Sequence, residues 1–462
     1  LVGRLTYEYA SRYLAEFNMG YNGTENFAKG KRFGFFPAVS LGWVISEEKF
    51  FPKNNIVKYL KVRGSYGEVG NDQIGGDRFL YLPSSYGAAS DSGVNKYNFG
   101  LASNPYTSLM IVENKIGNPD LTWEKAKKMN VGVDINLFNN CLTASFDIFK
   151  EKRNNILANR STSPMIIGAN LPAYNFGEME NRGWEMDLNF RHHIQDFHYW
   201  ARFNYSFARN EIIYMDEVQK RYDYQMTTGR RKNQFFGLIF DGYYNSWEEI
   251  NALDRPKSSW SGNQLQPGDV KYIDVNQDGV IDDYDMVPIG YTPVPEIIYG
   301  FSFGAQYKGF DFSILFQGAD NVSIKYFGRS MWPFAKGEES AKSLIKERWT
   351  QERYEAGEKI TFPRLSLNPN GETDHNYRPS TLWIRDASYL RLKNLEVGYT
   401  FTGGFVKRLN LNSVRLYFNG SNLFTWTDVV DLDPEAPSRS GNVEINTYPL
   451  QKVYNIGLNI NF

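Results

Sequence analysis

Residues 274–285 read D-V-N-Q-D-G-V-I-D-D-Y-D. Oxygen donors fall at positions 1, 3, 5, 9 and 12 of this stretch: Asp274, Asn276, Asp278, Asp282 and Asp285. Gly279 at position 6 suits a tight turn, and Val280 at position 7 offers a backbone carbonyl. Six to eight hard oxygens in this order are what Ca²⁺ requires. The spacing therefore predicts a Ca²⁺ site at Asp274, Asn276, Asp278, Val280, Asp282 and Asp285. Such a metal staples a loop rather than performing chemistry. The alternative is an Asp/Asn/Gly turn that holds no metal.

No other constellation suits catalysis. The motifs H-E-x-x-H, G-x-x-x-x-G-K-[ST] and G-x-G-x-x-G are absent, and no carboxylate pair is set apart for glycoside chemistry. Catalytic residues: none are assigned. His192, His193, His198 and His375 are read as polar turn residues. The single Cys141 rules out an intrachain disulfide and falls at an expected turn. Trp260, Trp332, Phe334, Trp349, Trp383 and Trp426 lie in long connections or near strand ends. They are read as girdle or loop-core residues, with ligand stacking as the alternative.

The elements that carry these residues show a period of two. At the C-terminus Tyr454, Ile456, Leu458, Ile460 and Phe462 alternate with Asn455, Gly457, Asn459 and Asn461. One apolar and one polar face is the pattern of a half-buried strand. Exposed in water it would be an adhesive edge, but it suits a barrel whose apolar side meets lipid and whose polar side lines a wet lumen. The alternation recurs along the whole chain, giving about thirteen strands. Near Lys393-Asn394 the phase slips: Leu390 and Leu392 share one parity, and Leu395, Val397, Tyr399 and Phe401 share the other. That predicts a β-bulge.

Short connections (10–12, 138–141, 192–197, 308–309) alternate with long ones (70–118, 155–174, 212–296, 320–385, 426–449), and 44–59 is intermediate. This is the pattern of an outer-membrane barrel with its long loops outside the cell. Short helices are expected within the loops at 246–253, capped by Ser246, and at 339–349.

Composition agrees. Aromatic residues make up 16% of 462, yet the mean hydropathy is −0.49, a combination that aromatic girdles and a wet lumen explain together. The 51 basic and 52 acidic residues leave a net charge of −1 and no basic stripe for nucleic acid. No apolar run reaches the ~18–20 residues of a membrane-spanning helix, so a membrane role requires strands. Strand-like alternation begins at once after Leu1, and an odd strand count is incomplete for a single-chain bacterial barrel. Residues 1–462 are therefore expected to be the C-terminal part of a longer protein.

Several segments in this order resemble the SusC/RagA family of TonB-dependent outer-membrane transporters. They are R-F-G at 32–34 with 37–43, L-K-V-R-G-S-Y-G-E-V-G at 60–70, N-P-D-L-T-W-E at 118–124 and N-R-G-W-E at 181–185. P-G-D at 267–269, Y-L-R-L-K-N at 389–394, N-L-F at 422–424 and D-P-E at 433–435 follow, and Phe462 ends the chain. The acidic stretch, with Asp285 where an EF-hand has Glu, is similar to dockerin-type loops. The resemblance implies a transmembrane antiparallel β-barrel of about 22 strands with a plugged lumen, of which this chain supplies the last thirteen or so. The plug and the first strands lie upstream. It further implies a SusD-like lipoprotein lid, contact with the TonB complex through an N-terminal region, and import of oligosaccharides or peptides. The rival readings are a passive porin or assembly-associated barrel, and a soluble β-rich adhesin or enzyme at the cell surface.

Overall fold

The computed structural model describes residues 1–73, 78–82, 86–88, 96–101, 103, 106–109, 111–113, 116–162, 171–260, 264–326, 332–334, 343–366, 374–435 and 449–462. Thirteen strands form one antiparallel sheet in which each pairs with the next in sequence. They are β1 (Val2–Tyr9), β2 (Tyr13–Gly23), β3 (Phe33–Val44), β4 (Val57–Asn71), β5 (Glu124–Leu137), β6 (Leu142–Ala158) and β7 (Tyr174–Ile194). β8 (Phe197–Tyr214), β9 (Ile297–Tyr307), β10 (Phe310–Asp320), β11 (Tyr389–Phe401), β12 (Ser413–Thr427) and β13 (Val453–Asn461) complete it.

The period of two now has a physical meaning. Ile456, Leu458, Ile460 and Phe462 are 80%, 57%, 42% and 86% exposed, so the apolar face of β13 is not tucked into a folded interior. The same face carries the exposed Leu5, Tyr7, Leu41, Val131, Ile148, Phe301, Phe310, Val397 and Leu416. An apolar face of this extent is stable only against hydrocarbon. A bilayer is crossed by about 9–11 residues of tilted strand, yet β6, β7 and β8 run for 17, 21 and 18. Their excess is visible in the chemistry of the outer face. On β6 it changes from Phe146 and Ile148 to Lys150 and Lys152, and on β7 from Trp184 to Arg182, Glu180 and Glu178. Lys150 meets Glu180 at 2.8 Å and Lys152 meets Glu178 at 2.9 Å across the two strands. The strands thus leave the apolar belt and continue into water as a charged collar.

The connections alternate in length, except that 45–56 and 402–412 on the short-turn rim are longer than 24–32 on the other. The turns 10–12, 138–141, 195–196 and 308–309 lie at one rim, together with 45–56, which holds a short 3-10 turn at Ile45–Glu47, and 402–412, which holds a helix at Gly404–Arg408. Lys308 and Gly309 both have positive φ, 44° and 90°, the two-residue turn that matches strand twist. The opposite rim carries 24–32, 72–123, 159–173, 215–296, 321–388 and 428–452.

The predicted bulge is present. Leu315 pairs with Asn394 and Phe316 with Leu392, so Lys393 is left without a partner in the β10–β11 register. The extra residue keeps Leu390 and Leu392 on the outer face above it, and Leu395, Val397 and Tyr399 on the same face below it.

The main hydrophobic core is outside the sheet. Leu238, Val270, Tyr326, Phe362 and Trp383 are at most 2% exposed and centre a cluster drawn from 215–296, 321–388 and 428–435. Trp247–Asn251 forms the expected short helix, and Ser246 caps it by accepting from the Glu249 amide. The helix expected at 339–349 falls partly outside the described residues. Its remainder is a 3-10 turn at Ser343–Glu347, after which Trp349 turns into the core.

Candidate functional site

Two features could receive a solute: the polar inner wall and the folded loop module above it. The wall is built by register. Lys128 on β5, Glu151 on β6, Asn181 on β7 and Asn210 on β8 pair in sequence, so four polar side chains on one face form a row across four strands. Lys128 reaches Glu151 at 3.2 Å. One step toward the long-loop rim, Arg153 bonds Glu124 at 2.9 Å and Glu151 at 2.8 Å.

Nearer the short-turn rim the wall is knotted by charge. Arg63 on β4 grips Asp147 on β6 with both terminal nitrogens, at 2.7 and 2.6 Å, and meets Asp134 at 3.1 Å. Gly132 lies between them in register. A Cβ there would come within 2.6 Å of Asp147 and 2.7 Å of Arg63, so the bidentate bridge requires its absence. On the far side Arg415 makes the same kind of grip on Asp311 at 2.7 Å and reaches Glu396 at 2.6 Å.

The loop module is held by a buried polar hub. Asp269 is 3% exposed, faces Arg364 at 2.6 Å, and accepts from the Asn376 amide at 2.8 Å and the Gln266 backbone at 2.8 Å. Asn376 in turn accepts from the Val270 amide, and its carbonyl accepts from the Trp383 indole, at 2.9 and 2.8 Å. Gly268 has φ +92°, and a Cβ there would sit 2.4 Å from the Trp349 ring. Tight backbone approach therefore dictates glycine beside the acid.

His375 corrects a sequence expectation. Far from being a surface turn residue, it is buried, with Nε2 2.8 Å from the Val270 carbonyl and Nδ1 2.9 Å from Ser258 Oγ. Only Nε2–H can donate to a carbonyl, so the serine donates to Nδ1 in the neutral ring. Burial holds its pKa below the usual 6.5. Asp374 beside it is pushed up, again by burial. His192, His193 and His198 are exposed around the 195–196 turn, as read from sequence.

The acidic stretch forms a self-bonded loop. Asp274 accepts from the amides of Gln277 and Gly279 at 2.7 and 2.8 Å, Asn276 from Asp278, Asp278 from Val280, and Asp282 from Tyr284. Asp285 is fully buried and accepts from Val275 and Asp282. Burial raises its carboxyl pKa. Val280 begins a short strand beside Lys257–Ser258. Among the described residues no three His, Cys, Asp or Glu side chains converge as a metal cage.

The aromatic residues divide clearly. Trp332, Trp349 and Trp383 belong to the module core, Trp260 packs on it beneath the Arg378 guanidinium at 4.0 Å, and Phe334 is half-buried. Trp426 is 53% exposed on β12, beside Phe424 and Phe316. Cys141 is half-buried in the 138–141 turn.

Several motifs that are far apart in sequence meet in space. The Phe36 ring, two residues past Gly34, lies where a Cβ on Gly70 would be 2.0 Å away, and packs edge-on to Trp123 at 5.2 Å. Arg391, 2% exposed, pairs with Asp433 at 2.6 Å and Glu435 at 3.1 Å, and Lys393 meets Glu435 at 3.0 Å. The bulged strand thus docks the 433–435 segment. These partners were not visible in the sequence, although each half of the pair was.

The family model described as TonB dependent receptor-like, beta-barrel, matches residues 1–423. The TonB-dependent receptor P3 of Formosa agariphila is 28% identical over 479 residues, covering 100% of this chain and 45% of that protein. The TonB-dependent receptor SusC of Bacteroides thetaiotaomicron is 28% identical over 466 residues, covering 100% of this chain and 43% of its own length. The structure of the RagAB peptide importer in its open-open state superposes with a TM-score of 0.75 at 22% identity, covering 100% of this chain and 46% of that one. The chain spans about half the length of the relatives it matches.

Proposed function

We propose that this chain, which belongs to the TonB-dependent receptor-like β-barrel family, is the wall and outer mouth of an importer of oligosaccharides or peptides, energised through TonB. The family consists of outer-membrane transporters rather than enzymes, and the chain is an outer-membrane β-barrel chain. The observation that carries the reading is the two-faced sheet. Its apolar outside demands lipid, while its inside is a continuous polar wall overhung by a separately cored loop module. A wall this polar suits a hydrated oligomer too large for simple diffusion.

We assign the plug and the first strands to the part of the protein upstream of these residues, and a SusD-like lipoprotein lid to the outer face of the loop module. SusC and the RagAB importer support both assignments by similarity. Uptake of a labelled oligosaccharide or peptide by cells expressing the full-length protein tests the reading. Import is expected to stop when TonB is deleted. Undiminished uptake without TonB would favour a passive pore. Co-purification of a surface lipoprotein that is lost on excising 215–296 tests the lid.

We also propose Ca²⁺ as a ligand of the 274–285 loop, supported by the donor spacing of Asp274, Asn276, Asp278, Asp282 and Asp285 and the Val280 carbonyl. Binding would turn the carboxylates from their backbone partners onto the ion. Calorimetric titration should show a Ca²⁺ heat that Asp274→Ala with Asp278→Ala abolishes. No heat with the unaltered protein would refute it.

A further inference from the structure

The polar row on β5–β8 runs into a cavity of about 370 Å³, roofed by the 292–296 segment. That volume lies in the range of sites for small ligands. The cavity has an unusual charge balance. Every carboxylate that lines it is already engaged: Glu124 and Glu151 by Arg153, Glu296 by Arg209 and Arg231, and Glu180 by Lys150. Among the described residues the Lys232 ammonium at the rim has no ion-pair partner, and its backbone amide donates to Asn210 Oδ1 at 2.7 Å. That bond leaves the Asn210 NH₂ free. Asn181, directly across from it, makes no side-chain hydrogen bond with the described residues. Two amides about 4.8 Å apart thus present donors and an acceptor side by side. Met179, Ile156, Val294 and Pro295 add an apolar patch.

We infer that this cavity binds one unit of an acidic saccharide, a uronate-type sugar, with the amide pair taking neighbouring hydroxyls. Lys232 takes the carboxylate, and the apolar patch meets the C–H face of the ring. A hydroxyl both donates and accepts, as the amide pair requires. A peptide is disfavoured because its ammonium groups need an unengaged carboxylate, and the cavity holds none. The inference rests on the import reading and selects among its substrates.

The test uses the full-length protein in detergent, with heat-modifiable migration as the check on folding. Three probes are titrated: a short uronate oligosaccharide, the same oligosaccharide with its carboxyls reduced to alcohols, and an acidic peptide. The uronate should bind tightest, with the reduced form about tenfold weaker for loss of one charge-assisted bond. Asn181→Ala with Asn210→Ala should weaken both saccharides by about tenfold or more. Lys232→Ala should erase the difference between them. The site is overturned if the peptide binds as well as the uronate, if the paired asparagine variant binds unchanged, or if no saccharide binds. TonB-dependent uptake is read separately. If uptake persists while these probes fail, the site alone falls. If uptake ignores TonB, the import reading falls whatever the probes show.

Discussion

Arg391 is a residue whose role is fixed by what surrounds it. It is a cation with 2% exposure and two carboxylate partners, and removing it leaves Asp433 without a cation and Glu435 with Lys393 alone. Breaking a buried pair from one side costs about 3–5 kcal/mol. Arg391→Ala is therefore expected to free the 428–435 segment to protease while the sheet keeps its heat-resistant migration. Asp269→Ala should have the same order of effect on the loop module, because Arg364 and Asn376 both lose their acceptor. His375 gives the module a pH dependence whose sign follows from its lowered pKa. The unfolded ring protonates first, near 6.5, so its contribution to stability is complete above that value and is lost as pH falls below it. Asp374, with a raised pKa, acts oppositely, but over a more acidic range above 3.8. Protection factors of the Val270 and Asn376 amides, corrected for the intrinsic pH dependence of exchange, are expected to fall as pH drops below about 6.5, and His375→Gln should flatten that response. Of this residue-scale detail the sequence shows each partner but not the pairing. Asp433 and Arg391 stand in recognisable segments, but nothing local says that a loop brings them together. The Asn181–Asn210 pair is different. Counting back equally from the 195–196 turn places them opposite one another, so hairpin arithmetic alone could have found it.

Among the elements, strands were legible because a sheet wet on one side writes its period directly into residue type. The terminal strand, the slipped phase at Lys393 and the alternation of connection lengths all follow from that rule. The loop module was not legible. Its core is assembled from Leu238, Val270, Tyr326, Phe362 and Trp383, which share no period and lie in segments separated by a membrane-crossing hairpin. Burial there comes from tertiary packing, and that is also why His375 was misread. The bulge offers an element-scale prediction. Deleting Lys393 shifts Leu395, Val397, Tyr399 and Phe401 by one residue against β10, which sends them to the polar side. The protein is expected to be lost from the membrane fraction, whereas Lys393→Ala, which keeps the residue count, should insert normally.

For the whole molecule, the outer surface is the quantity to test. A cation at the bilayer midplane of a barrel costs about 2–4 kcal/mol. Leu458→Arg is expected to lower folding yield into vesicles by that measure, and Asn455→Lys, one face over, is expected to be tolerated. The loop module carries a further consequence. Its two main halves, 215–296 and 321–388, are joined only by the hairpin of β9 and β10, Ile297–Asp320, which must enter the bilayer and return. The second half cannot reach the first until that excursion is complete. Closure of the module therefore reports that insertion has succeeded, and a stalled hairpin would leave the first half's greasy surface uncovered.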